Sequence, residues 1–253
     1  MIPATQPRIS FLVATWNCAP LLPGLLESLT AQTWTDWELL LLDNASTDGT
    51  AELVEAHRHR HPTQQLRWSS CPDLGIYDAW NRGLRQARGT YICCVGADDR
   101  FLHSFSLAAI AALTVSDADL ITARNAYYGR DGQFLRDWGW AWTWRRMRQS
   151  MNIAHPGMLV KRDLFQRFGP FDTSFRICGD YEWFLRLPPE LRSIHSNDSI
   201  LQVVQAGVSH SRIRQVYSET FRAQCRHLGW PLSAVCWVIN WLQFARRRLI
   251  GLA

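Results

Sequence analysis

The sequence is almost without lysine. Lys161 is the single one, so arginine carries nearly all of the positive charge, and the net charge is only +5. No dense basic run occurs, which excludes the simplest kind of nucleic-acid groove; the mild surplus still suits anionic partners such as phosphates or a membrane surface. The seven cysteines (Cys18, Cys71, Cys93, Cys94, Cys178, Cys225, Cys236) contain no CxxC pair. That odd, scattered set excludes a disulfide framework and a structural zinc site and fits a reducing compartment. No leader-like start is visible, and no apolar run is long enough to span a bilayer. The expected location is the cytoplasm, with the inner face of the cell membrane as the one surface the chain would meet.

What is present suits one large α/β domain. The 253 residues are 47% hydrophobic and 19% charged, enough to bury a sizeable core. Three short apolar runs stand out: Ile9 to Ala14, Trp37 to Leu42 and Tyr91 to Val95. Near-continuous apolar runs are what strands covered on both faces look like. The second and third lead into carboxylates, at Asp43 and at Asp98-Asp99. Helical patterns lie between them. Leu21, Leu22, Leu25, Leu26 and Leu29 make one apolar face; a second helix is expected from Ser46 or Thr47 to about His61, and a third from about Tyr77 to Ala87. Alternating strands and helices imply a mainly parallel, Rossmann-like sheet flanked by helices, with ligands at the carboxyl ends of the strands. The carboxylates fall at those ends.

The second half is less regular. Trp138, Trp140, Trp142 and Trp144 alternate, so on a strand they would share a face, to stack on an acceptor or pack a core. A helix is expected from about Gly179. The expected domain spans 1–228. The tail, 229–253, sets Trp230, Leu232, Trp237, Trp241 and Phe244 before Arg246-Arg247-Arg248. Such a helix suits either a membrane interface or docking on the core.

Several segments carry candidate chemistry, each with a plainer reading beside it. A buried strand running into Asp98-Asp99 is costly unless a cation partners the acids, and a hard divalent ion that also touches a diphosphate would do so; a turn or helix cap would also use two acids. Asp43 and Asn44 could bond a base or ribose, or simply shape a strand-to-helix turn. Asp78 could serve a donor pocket, or be a first-turn acid favoured by the helix dipole. Asp180 opens a helix, with Glu182 on another face.

Together these segments resemble the family-2 glycosyltransferases of the GT-A fold, over about residues 8–190. The resemblance lies in Ala14-Thr-Trp-Asn17, Asp43-Asn-Ala-Ser-Thr-Asp-Gly-Thr50, Asp73-Leu-Gly-Ile-Tyr-Asp-Ala-Trp-Asn-Arg-Gly83, Gly96-Ala-Asp-Asp99, His155-Pro156 and Gly179-Asp180. The third segment is similar to bacterial transferases of surface polysaccharides, of the colanic-acid and O-antigen type. The resemblance implies an inverting transfer from a nucleoside-diphosphate sugar to a hydroxyl of a glycan or lipid-linked acceptor. It implies that Asp99, with Asp98, holds a divalent cation (Mn or Mg) and the diphosphate. Ala14, Trp16, Asp43 and Asn44 would line the nucleoside pocket, Asp180 would be the general base, and His155 would stand in the acceptor loop; apart from the resemblance, Asp78 is a further donor-pocket candidate and Trp142, from the tryptophan row, a further acceptor candidate. Asn44, Gly96, Cys71 and Leu74 depart from residues common in such relatives. Two rivals remain. One is a metal-dependent nucleotidyltransferase, which the chain lacks a Gly-rich basic loop to serve; the other is a non-catalytic nucleotide-sugar-binding module.

Overall fold

The computed structural model describes residues 6–205 and 207–249. The first part builds four parallel strands. These are β1 (Ile9–Thr15), β2 (Trp37–Asp43), β3 (Leu66–Ser70) and β4 (Tyr91–Cys94), separated by helices α1 (Leu22–Thr30), α2 (Thr50–Arg60) and α3 (Ile76–Gln86). Strand β5 (Arg100–Phe101) and helix α4 (Ser106–Ala112) follow. The second part supplies β6 (Leu120–Tyr128), β7 (Phe134–Trp138), α5 (Trp144–Met147), β8 (Leu159–Lys161), α6 (Arg162–Phe168), α7 (Gly179–Phe184) and β9 (Ser193–Val204). The chain closes with helices α8 (Val208–Ser211), α9 (Ile213–Leu228) and α10 (Trp230–Leu249).

One curled sheet joins all nine strands, in the order β3-β2-β1-β4-β8-β6-β9-β5, with β7 hydrogen-bonded to β6. The first four positions are parallel. Strand β8 then pairs antiparallel with both β4 and β6, while β6 and β9 run parallel. The expected parallel sheet thus holds for the first half and becomes mixed in the second.

The two-sided apolar runs have a clear origin. Ile9, Phe11 and Val13 of β1, Leu39 and Leu41 of β2, and Tyr91 and Cys93 of β4 face one core with the leucines of α1 and Val54 of α2. Leu12, Leu40, Leu42, Ile92 and Cys94 face the other, with Tyr77 and Trp80 of α3, Phe165 of α6 and Trp183 of α7. Side chains alternate across a strand, so only a sheet covered on both faces needs apolar residues at every position. Burying one leucine in this way contributes about 2 kcal/mol. Cys93 and Cys94 are buried, and all seven cysteines are free thiols.

Two expected boundaries moved. Helix α2 begins at Thr50, not at Ser46 or Thr47, because those residues are committed elsewhere. The Ser46 hydroxyl donates to Asp43, and Asn17 Oδ1 takes the Thr47 N–H. The tryptophan row is not one strand face. Strand β7 stops at Trp138, Gly139 (φ 134°) turns the chain, and Trp144 opens α5.

The tail is a helix, as expected, and it lies along α9. Asn240 Nδ2 donates to Gln149 O, Cys236 is buried, and Tyr217 stacks on Trp241. Its outer face keeps Trp230, Val235, Val238 and Leu242 exposed. The side chains of Phe244 and Arg246 to Arg248 lie outside the described residues. No helix among the described residues is long and apolar enough to cross a membrane.

Candidate active site

The first group of candidate residues gathers at the carboxyl ends of β1, β2 and β4. Thr15 and Asp43 sit side by side in the β1–β2 register. Asp43 is 1% exposed, and both its oxygens are engaged. Oδ1 accepts from the hydroxyls of Thr15 (3.0 Å) and Ser46 (2.5 Å); Oδ2 accepts from Ser70 Oγ (2.6 Å) and the Ser46 N–H (2.9 Å). As it stands, Asp43 ties three strand ends together and presents no open carboxylate. Asn44 Oδ1 accepts from the Asp73 N–H (2.8 Å), so it too links loops. Ala14 is half-buried, and the Trp16 ring, 67% exposed, stands free at the sheet edge. Asp48 laces the two loops further, accepting from the Ala19 N–H and from Thr50.

Asp98 and Asp99 form the second group. Asp99 is 2% exposed. Its Oδ2 accepts from the Gly96 N–H (2.6 Å), and neither acid forms an ion pair with a basic side chain among the described residues. Burial, reinforced by the Asp98 charge, pushes the Asp99 carboxyl up to about 8. Asp98 Oδ1 and Asp99 Oδ2 converge: a Cβ on Gly96 would lie 2.7 Å from the first and 3.2 Å from the second. Two hard oxygen donors, one of them buried and without a counter-cation, fit a divalent ion that also binds phosphate oxygens. No group of three or more potential protein ligands gathers among the described residues, so such an ion would take its remaining ligands from substrate and water.

Asp180 belongs to the third group. It sits on the first turn of α7, and two groups hold its Oδ1. The Tyr77 hydroxyl donates to its Oδ1 at 3.1 Å and to Ile177 O at 2.6 Å; the Tyr181 N–H also donates to Oδ1, at 2.8 Å. Oδ2 makes no hydrogen bond among the described residues and has His155 Nδ1 at 3.9 Å. His155 packs between Trp80 and Phe184, and burial pulls its pKa below the usual value although Asp180 opposes this. Gly179 is dictated by Tyr77: a Cβ there would lie 2.8 Å from the Tyr77 ring.

A cavity of about 510 Å³ opens beside Asp180, with Trp140, Arg136, Tyr181, Tyr217 and Asn240 in its wall. Asp98 and Asp99 do not line it. Tyr127 connects the two places. Burial and then the Asp99 charge raise the Tyr127 hydroxyl to about 12, Arg136 lies over its ring, and Trp138 meets it edge-on. Trp142 lies outside the cavity as well. It is 5% exposed and packs on Trp144 and Phe184, so its expected acceptor contact is replaced by core packing; Trp138 and Trp140, the latter 49% exposed, are the members of the row that line the cavity.

Helix α3 explains why one motif runs through 73–83. Asp78 Oδ2 accepts from the Leu74 N–H (3.0 Å) and closes the helix start, a capping contact that engages one of its two carboxylate oxygens. Tyr77 reaches Asp180. Asn81 exchanges two hydrogen bonds with the Phe171 backbone, and Arg82 donates to Asp43 O and Cys71 O. One helix thus braces the β2 loop on one side and the α7 acid on the other. The sequence reading missed Tyr77, whose signal was its place in this motif. It also missed Glu219 of α9, which has no motif. The Glu219 carboxylate accepts from three successive N–H groups, Arg176, Ile177 and Cys178, just ahead of Asp180.

Comparisons with known proteins identify the family and the fold. The profile of glycosyl transferase family 2 matches residues 10–169. A "PGL/p-HBAD biosynthesis glycosyltransferase" of Mycobacterium bovis (strain BCG / Pasteur 1173P2) is 32% identical over 180 residues, 71% of this chain and 69% of the relative. A chondroitin synthase of Escherichia coli is 27% identical over 72% of this chain, which spans 26% of that longer protein. Among solved structures, S. aureus TarS 1-349 in complex with UDP-GlcNAc superposes with a TM-score of 0.70 at 20% identity, covering 87% of this chain and 66% of that one. The mannosyltransferase PcManGT from Pyrobaculum calidifontis, in complex with GDP-Man and Mn2+, gives a TM-score of 0.65 at 21% identity, covering 92% of this chain and 75% of that one. The fold is the GT-A fold, and the chain belongs to glycosyltransferase family 2.

Proposed function

We propose that this glycosyltransferase inverts the anomeric centre of a nucleoside-diphosphate sugar, with Asp180 as the general base and a glycan or lipid-linked hydroxyl as acceptor. The carrying observation is the state of Asp180. One carboxylate oxygen is pinned by Tyr77 and the Tyr181 N–H, the other makes no hydrogen bond, and the side chain lies on the wall of the large cavity. A base needs a fixed orientation and a free lone pair, and this carboxylate has both.

In this reading the acceptor hydroxyl enters from the cavity and loses its proton to Asp180 Oδ2. Its oxygen bonds to the anomeric carbon while the bond from that carbon to the diphosphate breaks, and the electron pair leaves with the nucleotide. Trp16, Ala14 and the loop held by Asp43 and Asn44 would border the nucleoside. Asp98 and Asp99 would hold a divalent cation, Mn or Mg, which when bound offsets charge building on the diphosphate oxygens. The names of the relatives support a role in polysaccharide or glycolipid synthesis, and the exposed apolar face of α10 supports work at the inner face of the cell membrane. The family assignment sets aside the nucleotidyltransferase reading.

Asp180→Asn keeps the volume and the hydrogen bond from Tyr77 but removes the base. Transfer should fall by about a hundred- to ten-thousand-fold, with nucleotide binding unchanged. Undiminished transfer would remove Asp180 from the mechanism, and a binding module without catalysis would show no transfer in the unaltered protein.

A further inference from the structure

A second concavity lies on the far side of Tyr217. Helices α9 and α10 meet as an antiparallel pair joined at Gly229, and one face of each lines a groove of about 610 Å³. Tyr217 and Phe221, one turn apart, form one wall. Trp230, Ala234, Trp237 and Trp241 form the other, at the spacing of a single helix face. The lining is almost wholly apolar. Yet Trp230 is 69% exposed and Val238 50% exposed, so the folded chain leaves this wall in water. The wall from residue 230 to 241 is about 16 Å long at 1.5 Å per residue. Arg214 stands in the lining as its one charged side chain.

The groove adjoins the reaction cavity. Tyr217 lines both. Its ring stacks on Trp241 in the groove, while its hydroxyl lies 3.5 Å from the carbonyl oxygen of Asn240, which lines the cavity with Asp180. A molecule with a polar head at Asp180 and an aliphatic tail would lay that tail past Tyr217 and into the groove. A wholly polar glycan would leave these indoles exposed, at a cost in water.

We propose that the groove between α9 and α10 binds the aliphatic chain of an amphiphilic acceptor, so that the substrate of the Asp180 cavity is a lipid-linked hydroxyl compound. The proposal rests on the transferase reading for its purpose, but the binding of a chain can be measured without any transfer.

The test uses the whole protein and the tryptophan fluorescence of the groove. Maltose and its octyl, decyl and dodecyl glycosides are titrated below their micelle concentrations. Saturable binding should appear with the chain and tighten about tenfold for each added pair of methylenes. Ala234→Trp, which fills the groove, and Val238→Asp, which charges a half-exposed position where folding tolerates it, should each weaken dodecyl binding at least tenfold. A melting curve of each variant confirms that it is folded. No saturable binding, no dependence on chain length, or unaltered binding in both variants would overturn the proposal. Uptake only onto phosphatidylcholine vesicles, with no binding of single glycosides, would overturn it too and make the face a membrane surface. Nucleotide-dependent stabilisation of the unaltered protein, measured alongside, separates the two readings. Its absence would count against the transferase reading while leaving the chain-binding result to stand by itself.

Discussion

The two halves of the site are built in different ways. On the proposed donor side, each acid sits at or just past a strand end: Asp43 is held by Thr15 and Ser70 of the adjoining strands and by Ser46 of its own loop, and Asp99 by the Gly96 N–H of its own loop. On the acceptor side, Asp180 stands on a helix of only six residues. It is kept in place by groups distant in sequence, Tyr77 of α3 directly and Glu219 of α9 through the preceding backbone. Strand ends are rigid because the sheet is rigid; a one-and-a-half-turn helix must borrow its rigidity. The donor side should therefore tolerate changes in the terminal helices, while the acceptor side should not.

The largest effect expected is the loss of transfer in Asp180→Asn, with the donor side untouched. Next comes Asp99→Asn, which should abolish metal-dependent nucleotide binding and spare the acceptor cavity. The same change carries a stability signature. The folded carboxyl titrates near 8 against 3.8 for the ordinary group, so between those values the folded state binds the extra proton. Stability of the metal-free protein is then present in full below about pH 4 and falls as pH rises towards 8. Asn escapes that loss, so the variant should melt higher than the unaltered protein at pH 7, by the order of a few kcal/mol, and alike at pH 4. A variant that melts lower at pH 7 would show that Asp99 has a cationic partner in solution.

A sharper contrast comes from Glu219→Gln. Losing a charged acceptor shared by three backbone N–H groups should cost about 2 kcal/mol of stability. Its functional effect should be a lower kcat with the nucleotide affinity unchanged. Equal losses in both would mean that α9 supports the whole site and not Asp180 alone. Acid should widen the same contrast. Burial alone would raise Glu182 of α7, but hydrogen bonds from His227 and Arg186 outweigh it and bring its carboxyl below the usual value. A depressed carboxyl contributes stability above its unfolded pKa and loses it as pH falls. The α7–α9 contact should thus loosen below about pH 4.5, visible as earlier hydrogen exchange in α7 than in β1. The smallest effect is Trp140→Ala, which should raise the acceptor KM about fivefold by removing one ring face from the cavity.

Much of the donor side was legible in the sequence because strand ends announce themselves. Apolar runs stop at Asp43 and just before Asp98-Asp99, and the parallel half of the sheet followed from them, while the GT-A fold came from the family resemblance. What those acids touch was not legible. Asp43 is satisfied by three hydroxyls from separate segments, and one Asp78 oxygen is taken by a backbone N–H, contacts that exist only once the loops are folded. The tryptophan row misled because a single turn at Gly139 sends Trp140 outwards and Trp142 into the core. Glu219 could not have been found at all, since its role depends on where α9 packs. The expected tail at 229–253 proves to be docked through Asn240 and Cys236 on one side while open on the other, so both of its readings describe part of the same helix.

The most direct test of this division is nucleotide-dependent thermal stabilisation. UDP, dTDP, GDP, CMP and ATP would each be tried with and without manganese, on the unaltered protein, Asp99→Asn and Asp180→Asn. A ligand that binds only the folded state raises its stability by mass action. One nucleoside diphosphate should stabilise the unaltered protein and Asp180→Asn equally, only with manganese, and should leave Asp99→Asn unmoved. Stabilisation of Asp99→Asn to the same degree, or its loss in Asp180→Asn, would contradict a donor site built on the strand ends and an acceptor site built on α7.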